Sequence, residues 1–204
     1  MKWTTAVRTL EDVADRCAHM DRQPGTIVRL RVTEAWVFGD LLGPRRDSLD
    51  DLGSVRVALV TSAPEEDCAL FTRPPAAGHW LTASGLEKKP VQLFFRSAHA
   101  PVWNHLVERP VQFWSHEDGP EHDVLVQLRA GEGDALRPPA PTAAELRARL
   151  DRELAVSLGA LARTARDYDE KRWAPGSPKK RGDALCDAAL GLVDLQEARN
   201  RLGA

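Results

Sequence analysis

The sequence predicts an α+β fold in which a small mixed β-sheet with flanking helices is followed by an antiparallel hairpin of two C-terminal helices. Short apolar or alternating runs, separated by glycine and proline, fill residues 1–136 and are typical of strands joined by turns. After residue 141, apolar residues recur at helical spacing through two long segments, the second beginning near Asp183. A sheet with helices around it and a helical pair behind it accounts for both patterns.

The first part of the chain has four segments with the pattern of strands, over residues 26–38, 54–60, 91–95 and 110–114. In the first of them, Val28, Leu30 and Val32 alternate with polar residues and lead into a continuous apolar run. An amphipathic helix is predicted over residues 4–22. A short helix with proline in its first turn is predicted over residues 101–108.

A stiff proline-rich segment, residues 137–141, is the predicted boundary between two parts of the chain. We expect an α/β domain over residues 1–136 and a helical hairpin over residues 142–204, packed on it as one cooperative unit. Thr142 and Glu145 have the spacing of a capping box, which starts the first helix of the hairpin.

Composition excludes several classes of protein. The formal net charge is −2, so there is no general electrostatic attraction to nucleic acid or to an anionic membrane. The three cysteines stand far apart, which argues against a disulfide framework and fits the reducing cytoplasm. No apolar run approaches the roughly 20 residues that a membrane-spanning helix needs. We therefore expect a cytoplasmic protein without a membrane partner.

One motif points to chemistry. An apolar strand runs into the turn Phe38-Gly39-Asp40, a polar loop follows, and a second strand begins with Ser54-Val-Arg56. This order resembles the core of the nucleotidyltransferase superfamily, and the resemblance covers residues 1–97. In that family an apolar strand enters a Gly-Ser turn, and the second strand carries two aspartates in alternation. The resemblance implies a nucleotide as ligand.

The residues that the family uses for catalysis are replaced in this sequence. Two divalent cations clamp the reacting oxygens, and at 4 Å they repel each other by about 16 kcal/mol at an effective dielectric near 20, so several carboxylates must hold them. Ser54 and Arg56 stand at the two aspartate positions, and Asp40 stands in place of the turn serine. The resemblance therefore implies a catalytically degenerate relative, a binding or regulatory module without a metal or another cofactor. The ligand-binding candidates are Gly39, Asp40, Ser54, Arg56, Arg96 and His99.

Two alternatives stay open. The chain could be an active, magnesium-dependent nucleotidyltransferase whose carboxylates come from the turn and the polar loop, namely Asp40, Asp47, Asp50 and Asp51. It could instead be an interaction module whose C-terminal helices bind a protein partner or a second copy of the chain. Spare apolar length in the first of these helices favours the latter.

Other polar and aromatic residues have both structural and functional interpretations. Arg96, His99 and His105 could line a pocket at the end of the third strand, where open sheets bind ligands, or could pack locally. Segment 116–123 contains two histidines and four acids, but its spacing matches no metal site and its central Gly-Pro favours a hairpin. Large aromatic residues build core or stack on a ligand, and the sequence leaves both open for Trp36, Trp80, Trp103, Trp114 and Trp173.

Three longer stretches carry a second resemblance. RPPAAGHWLTASGL, PVWNHLVERPVQFWS and DYDEKRWAPG resemble segments of an uncharacterised family of small actinobacterial proteins. This resemblance spans most of the chain and implies a single architectural unit. It implies no activity.

Overall fold

The computed structural model describes residues 1–25, 27–48, 54–175 and 178–203, which contain six α-helices and five strands. The helices are α1 Trp3–Asp21, α2 Ala77–Ser84, α3 His122–Ala130, α4 Gly133–Leu136, α5 Ala143–Lys171 and α6 Pro178–Arg201. The strands are β1 Val32–Phe38, β2 Val55–Thr61, β3 Val91–Ser97, β4 Val111–Ser115 and β5 Gly119–Pro120. Turns of 3-10 helix lie at Gly39–Leu42, Glu65–Asp67 and Leu86–Lys88.

The strands of the described residues form one mixed sheet in the order β3-β2-β1-β4-β5. β2 and β3 are parallel, whereas β1 is antiparallel to both of its neighbours. The α+β class, the mixed sheet and the C-terminal helical pair are therefore confirmed. The topology also places the start of β2 beside the end of β1, and the end of β3 beside the end of β2, at the opposite end of the strands.

Both faces of the sheet are covered. α1, α2 and α3 pack on one face and form the main hydrophobic core with it. On the other face Phe38 and Phe94 meet edge to face, with ring centroids 5.3 Å apart, and Val107 packs against them. Val107 belongs to the β3–β4 loop, residues 98–110, which lies between the sheet and the C-terminal helices.

The predicted first strand, over residues 26–38, is wrong at its beginning. β1 begins at Val32, which pairs with Thr61, the last residue of β2. Residue 26 lies outside the described residues, and residues 27–31 belong to no strand, although the Arg31 carbonyl accepts a hydrogen bond from the Ser62 N–H at 3.0 Å. Val28 and Leu30 are buried nonetheless, because the alternating pattern specifies which side chains face the core and leaves strand pairing undetermined.

The helix predicted over residues 101–108 is also wrong, since the segment is irregular. The Asn104 side chain accepts hydrogen bonds from the backbone N–H groups of Leu106 and Val107, at 2.9 and 2.7 Å. A short polar side chain that takes backbone donors in this way stabilises a turn in competition with a helix. The segment is therefore a turn, and its Val107 packs with Phe38 and Phe94 on the sheet.

Helices elsewhere also differ from expectation. α3 and α4 follow the hairpin of β4 and β5 and were not predicted, although a hairpin around the Gly-Pro pair was; Gly119 and Pro120 form β5, and the turn lies at residues 116–118. The last helix begins at Pro178 rather than near Asp183. Proline suits the first turn because its missing N–H would have no partner within the helix there.

The C-terminal helices begin as predicted and pack against each other. Thr142 Oγ1 accepts from the Glu145 N–H at 3.2 Å, and the Glu145 carboxylate accepts from the Thr142 N–H at 2.7 Å, which confirms the capping box. Arg147, near the start of α5, donates to the carbonyl of Leu202 beyond the end of α6, so the pair is antiparallel.

The hairpin lies close against the rest of the chain. Leu150 of α5 and Leu195 of α6 are fully buried with Leu70, which lies between β2 and α2. A Cβ on Gly191 of α6 would lie 2.2 Å from the Leu70 carbonyl oxygen, so only glycine permits this approach. This contact does not test the predicted division into domains of residues 1–136 and 142–204, which stays a prediction.

A buried charge network joins α5 to the sheet. Glu153 of α5 lies between Arg149 and Arg96, the latter near the end of β3, and the three side chains are 5–6% exposed. The Glu153 carboxylate pairs with both guanidinium groups, at 2.9 Å from Arg149, and accepts a hydrogen bond from the Asn104 amide at 2.8 Å. Both arginines also donate to the carbonyl of Pro101. The network therefore fastens β3, the β3–β4 loop and α5 together.

Glu65, which follows β2, extends this network to the surface. Arg152 donates to its carboxylate from Nε at 3.0 Å and from Nη2 at 2.5 Å. The hydrogen bond from Arg152 outweighs the opposing effect of burial and, with the charges of Arg149 and Arg96, holds the pKa of Glu65 below its ordinary value.

We expect Glu153→Gln to lower the free energy of unfolding by about 3–5 kcal/mol, because two buried guanidinium groups lose their counter-charge. The matched control is Asp151→Asn, which removes an exposed pair with Arg199 from the same helix and should cost about 1 kcal/mol or less. Urea unfolding followed by circular dichroism measures both losses. Equal losses in the two variants would contradict the network's role.

Acid should weaken the contribution of Glu65. A carboxyl whose pKa falls on folding stabilises the fold above its unfolded pKa, and this contribution disappears as the pH falls through the folded pKa. We expect the difference in free energy of unfolding between the wild type and Glu65→Gln to shrink as the pH falls below 4.5, the ordinary pKa of a glutamate. Urea unfolding between about pH 7 and about pH 3 measures it. An Arg152→Gln background should reduce the pH dependence, and a difference that stays constant to about pH 3 would contradict the assignment.

Candidate functional site

The turn after β1 lies directly against the start of β2. Phe38 pairs with Arg56 across the two strands, which brings the Arg56 side chain to the turn. Gly39 has a φ of 81°, in the left-handed region that favours glycine. A Cβ on Gly39 would lie 2.3 Å from Arg56 Nη2. The backbone conformation therefore favours glycine at this position, and the guanidinium occupies the space that a Cβ would fill.

Arg56 has a neighbour on either side of its guanidinium group. Its Cζ lies 5.5 Å from the centroid of the Phe38 ring, a cation–π contact. Its Nη2 lies 3.4 Å from Asp40 Oδ1, and the two side chains are 25% and 53% exposed. A pair this long and this exposed contributes little to stability. Arg56 is therefore positioned by the turn while its charge remains available to a ligand.

Arg137 brings a second guanidinium group to the same turn. Its Nη2 donates to the carbonyl of Gly39 at 3.1 Å, and its Nε donates to the carbonyl of Leu42 at 3.3 Å. Its Nε also lies 3.5 Å from Asp134 Oδ1. From the sequence we assigned Arg137 only to the linker, and no local pattern marks it as a site residue, because nearly 100 residues separate it from the turn.

A cavity of about 400 Å³ opens at this turn, and we call it the Gly39 cleft. Its lining residues are Gly39, Asp40, Gly43, Arg46, Arg56, His105, Leu106, Glu108 and Arg137. Three arginines thus face two carboxylates in the described lining. His105 comes from the β3–β4 loop and is fixed by α6, since its Nε2 lies 2.7 Å from Asp194 Oδ2. The arrangement can bind an anion, because arginine forks match the oxygens of phosphate and carboxylate.

The predicted ligand-binding residues do not all lie together. Gly39, Asp40 and Arg56 line the cleft, and Ser54 stands one residue before β2 without lining it. Arg96 and His99 lie at the other end of the sheet. The site predicted from the sequence is therefore divided between two places.

The parallel pairing of β2 and β3 causes this division. Arg56 pairs with Gln92, whereas Arg96 pairs with Val60, four residues further along both strands. At the usual rise of a strand this is roughly 13 Å. Arg96 is buried in its pair with Glu153, and His99 is exposed in the turn that follows β3. Arg96 is therefore committed to the fold rather than available to a ligand.

The loop carboxylates of the enzyme alternative are only partly described. Asp40 lines the cleft and pairs with Arg56. Asp47 is exposed and does not line the cleft, while Asp50 and Asp51 lie outside the described residues. Among the residues that the structure does describe, no group of three or more histidine, cysteine, aspartate or glutamate side chains is placed to hold a metal ion.

Comparison with known proteins identifies a family but gives no activity. A family model described as a domain of unknown function, DUF7711, matches residues 1–201. No curated protein and no solved structure matches the chain significantly. No helix in the described part of the chain is long and apolar enough to cross a membrane.

Proposed function

The chain belongs to DUF7711, a family described only as a domain of unknown function, and we propose that it is a non-catalytic, nucleotidyltransferase-like module that binds the phosphates of a nucleotide without a metal ion. The observation that supports the proposal is the position of Arg56. Its guanidinium lies against Gly39, at the place where the resemblance assigns a metal-binding carboxylate. The proposed role is binding or regulation.

Charge favours a phosphate over a metal ion at this position. A guanidinium and a divalent cation 4 Å apart repel each other by about 8 kcal/mol at an effective dielectric near 20. The same guanidinium attracts a phosphate oxygen and can donate two hydrogen bonds to it. Arg137 is held at the turn by backbone carbonyls and adds a second charge of the same sign.

Asp40 then occupies the position that a phosphate would take. Its carboxylate is half-exposed and only loosely paired with Arg56, at 3.4 Å. A phosphate that approaches Arg56 can displace this carboxylate at small cost, because exposed ion pairs contribute about 1 kcal/mol or less. The enzyme alternative gives Asp40 the opposite role, that of a metal ligand.

Calorimetry with adenosine triphosphate in EDTA tests the proposal. We expect binding without magnesium, at least about tenfold weaker binding in Arg56→Gln because a charge-assisted hydrogen bond is lost, and unchanged or tighter binding in Asp40→Asn. Arg129→Gln is the matched control, since this exposed arginine of α3 pairs with Glu11 of α1 and does not line the cleft. Its affinity should equal that of the wild type.

The enzyme alternative predicts different results from the same titrations. Binding would require magnesium, and Asp40→Asn would abolish it. Magnesium-dependent nucleotidyl transfer that is lost in Asp50→Ala or Asp51→Ala would establish that alternative and overturn the proposal.

A second candidate function is association through the C-terminal helices. Leu158 of α5 and Leu190 and Val193 of α6 are 60%, 55% and 51% exposed. Leu190 and Val193 lie one turn apart, on the same side of α6. Single exposed leucines are ordinary, but neighbouring ones are typical of interaction surfaces. The proposed partner is a second copy of the chain or another protein.

If two copies associate through α6, light scattering should give the mass of a dimer, and Leu190→Asp with Val193→Asp should give that of a monomer. The matched control is Val126→Asp on α3, where the valine is 61% exposed and lies away from the hairpin. This variant should keep the dimer mass. A monomer mass for the wild type at every concentration would remove the self-association form of this candidate.

A further inference from the structure

A second and larger cavity adjoins the Gly39 cleft. It has a volume of about 610 Å³, and its lining shares His105 and Glu108 with that of the cleft. We call it the Trp103 cavity. Its apolar lining consists of Trp103, Pro110, Pro138, Pro139, Ala140, Pro141 and Leu146. The two cavities therefore meet at the β3–β4 loop, and a ligand of nucleotide size can occupy both.

The walls of the Trp103 cavity are fixed by contacts across it. Arg109 of the β3–β4 loop donates from Nε to the carbonyl of Pro138 at 2.6 Å. Its φ of 44° is unusual for a residue with a side chain, so the loop retains a costly backbone conformation at this contact. The contact holds the proline segment opposite the half-buried Trp103 indole. The cavity is thus a preformed slot with aromatic and proline rings in its walls.

Charge distinguishes the two cavities and orients a ligand. In the described lining of the Gly39 cleft three arginines face two carboxylates. In the lining of the Trp103 cavity two carboxylates, Glu108 and Glu145, face one arginine, Arg109. An anionic group is therefore favoured in the cleft and disfavoured in the cavity, whose apolar walls suit an uncharged planar ring.

We propose that the Trp103 cavity is the ring-binding subsite of the same ligand, with the nucleobase stacked on Trp103 while the phosphates lie at Arg56 and Arg137. This inference rests on the proposed function and adds a second contact to it. Stacking on an indole tolerates any base, because every base has a π face. The affinity for a nucleotide then exceeds that for its phosphate chain alone.

Calorimetry in EDTA with two probes, adenosine triphosphate and inorganic tripolyphosphate, separates the two contacts. We expect the wild type to bind the nucleotide more tightly than tripolyphosphate. Trp103→Ala should weaken nucleotide binding about tenfold, because the stacking contact is lost, and leave tripolyphosphate binding unchanged. Trp103→Phe should retain most of the nucleotide affinity, since it keeps an aromatic face. Trp173→Ala is the matched control, since this tryptophan is 88% exposed and does not line the cavity.

The outcomes distinguish this inference from the proposed function. Equal affinities for the two probes in the wild type, with no effect of Trp103→Ala, would overturn the ring subsite and leave phosphate binding in place. If neither probe binds, both the ring subsite and the proposed phosphate binding are overturned. If Trp103→Ala weakens the binding of both probes equally, Trp103 supports the fold rather than the ring, and the ring subsite is overturned. Melting of each variant, followed by circular dichroism, measures the loss of stability.

Discussion

The pairing of Glu153 with Arg96 and Arg149 is the interaction on which the arrangement of the chain depends. One buried carboxylate neutralises arginines from β3 and from α5 and accepts a hydrogen bond from Asn104 of the β3–β4 loop. Buried charges of this kind are costly unless all partners are present, so the three elements are held in one arrangement. That arrangement places Trp103 in the lining of the Trp103 cavity and His105 in the linings of both cavities. A contact at one end of the sheet therefore positions the candidate site at the other.

The charge of residue 56 decides which kind of ion the Gly39 cleft favours. A carboxylate at position 56 would favour a cation in the cleft, whereas the guanidinium favours an anion. The guanidinium lies in the space beside Gly39 that a Cβ would fill. Arg137 follows α4 and is held at the turn by the backbone carbonyls of Gly39 and Leu42. These carbonyls carry no formal charge, so they do not neutralise the guanidinium. The Trp103 cavity adds apolar surface beside this anion site.

Local patterns in the sequence predicted the elements better than their arrangement. The burial of the alternating residues Val28, Leu30 and Val32, the capping box at Thr142 and the turn at Gly39 each depend on neighbours in the chain, and each appears in the structure. The helix expected over residues 101–108 failed because Asn104 captures backbone donors, an effect that composition alone does not show. The sequence grouped Arg96 with Arg56 in one predicted site because it does not reveal the direction of β3 relative to β2. The parallel pairing of these strands separates the two arginines. Arg137 was missed for the same reason, since long-range packing brings it to the turn.

The contact between His105 and Asp194 has a thermodynamic consequence. His105 lines both cavities, and its partner Asp194 belongs to α6, which contributes no lining residue to either. A ligand that favours one position of His105 changes the equilibrium constant for the docking of α6 on the β3–β4 loop by a certain factor. Linkage then requires the docking of α6 to change the affinity for that ligand by the same factor. Helix α6 would thus be energetically coupled to binding without touching the bound molecule.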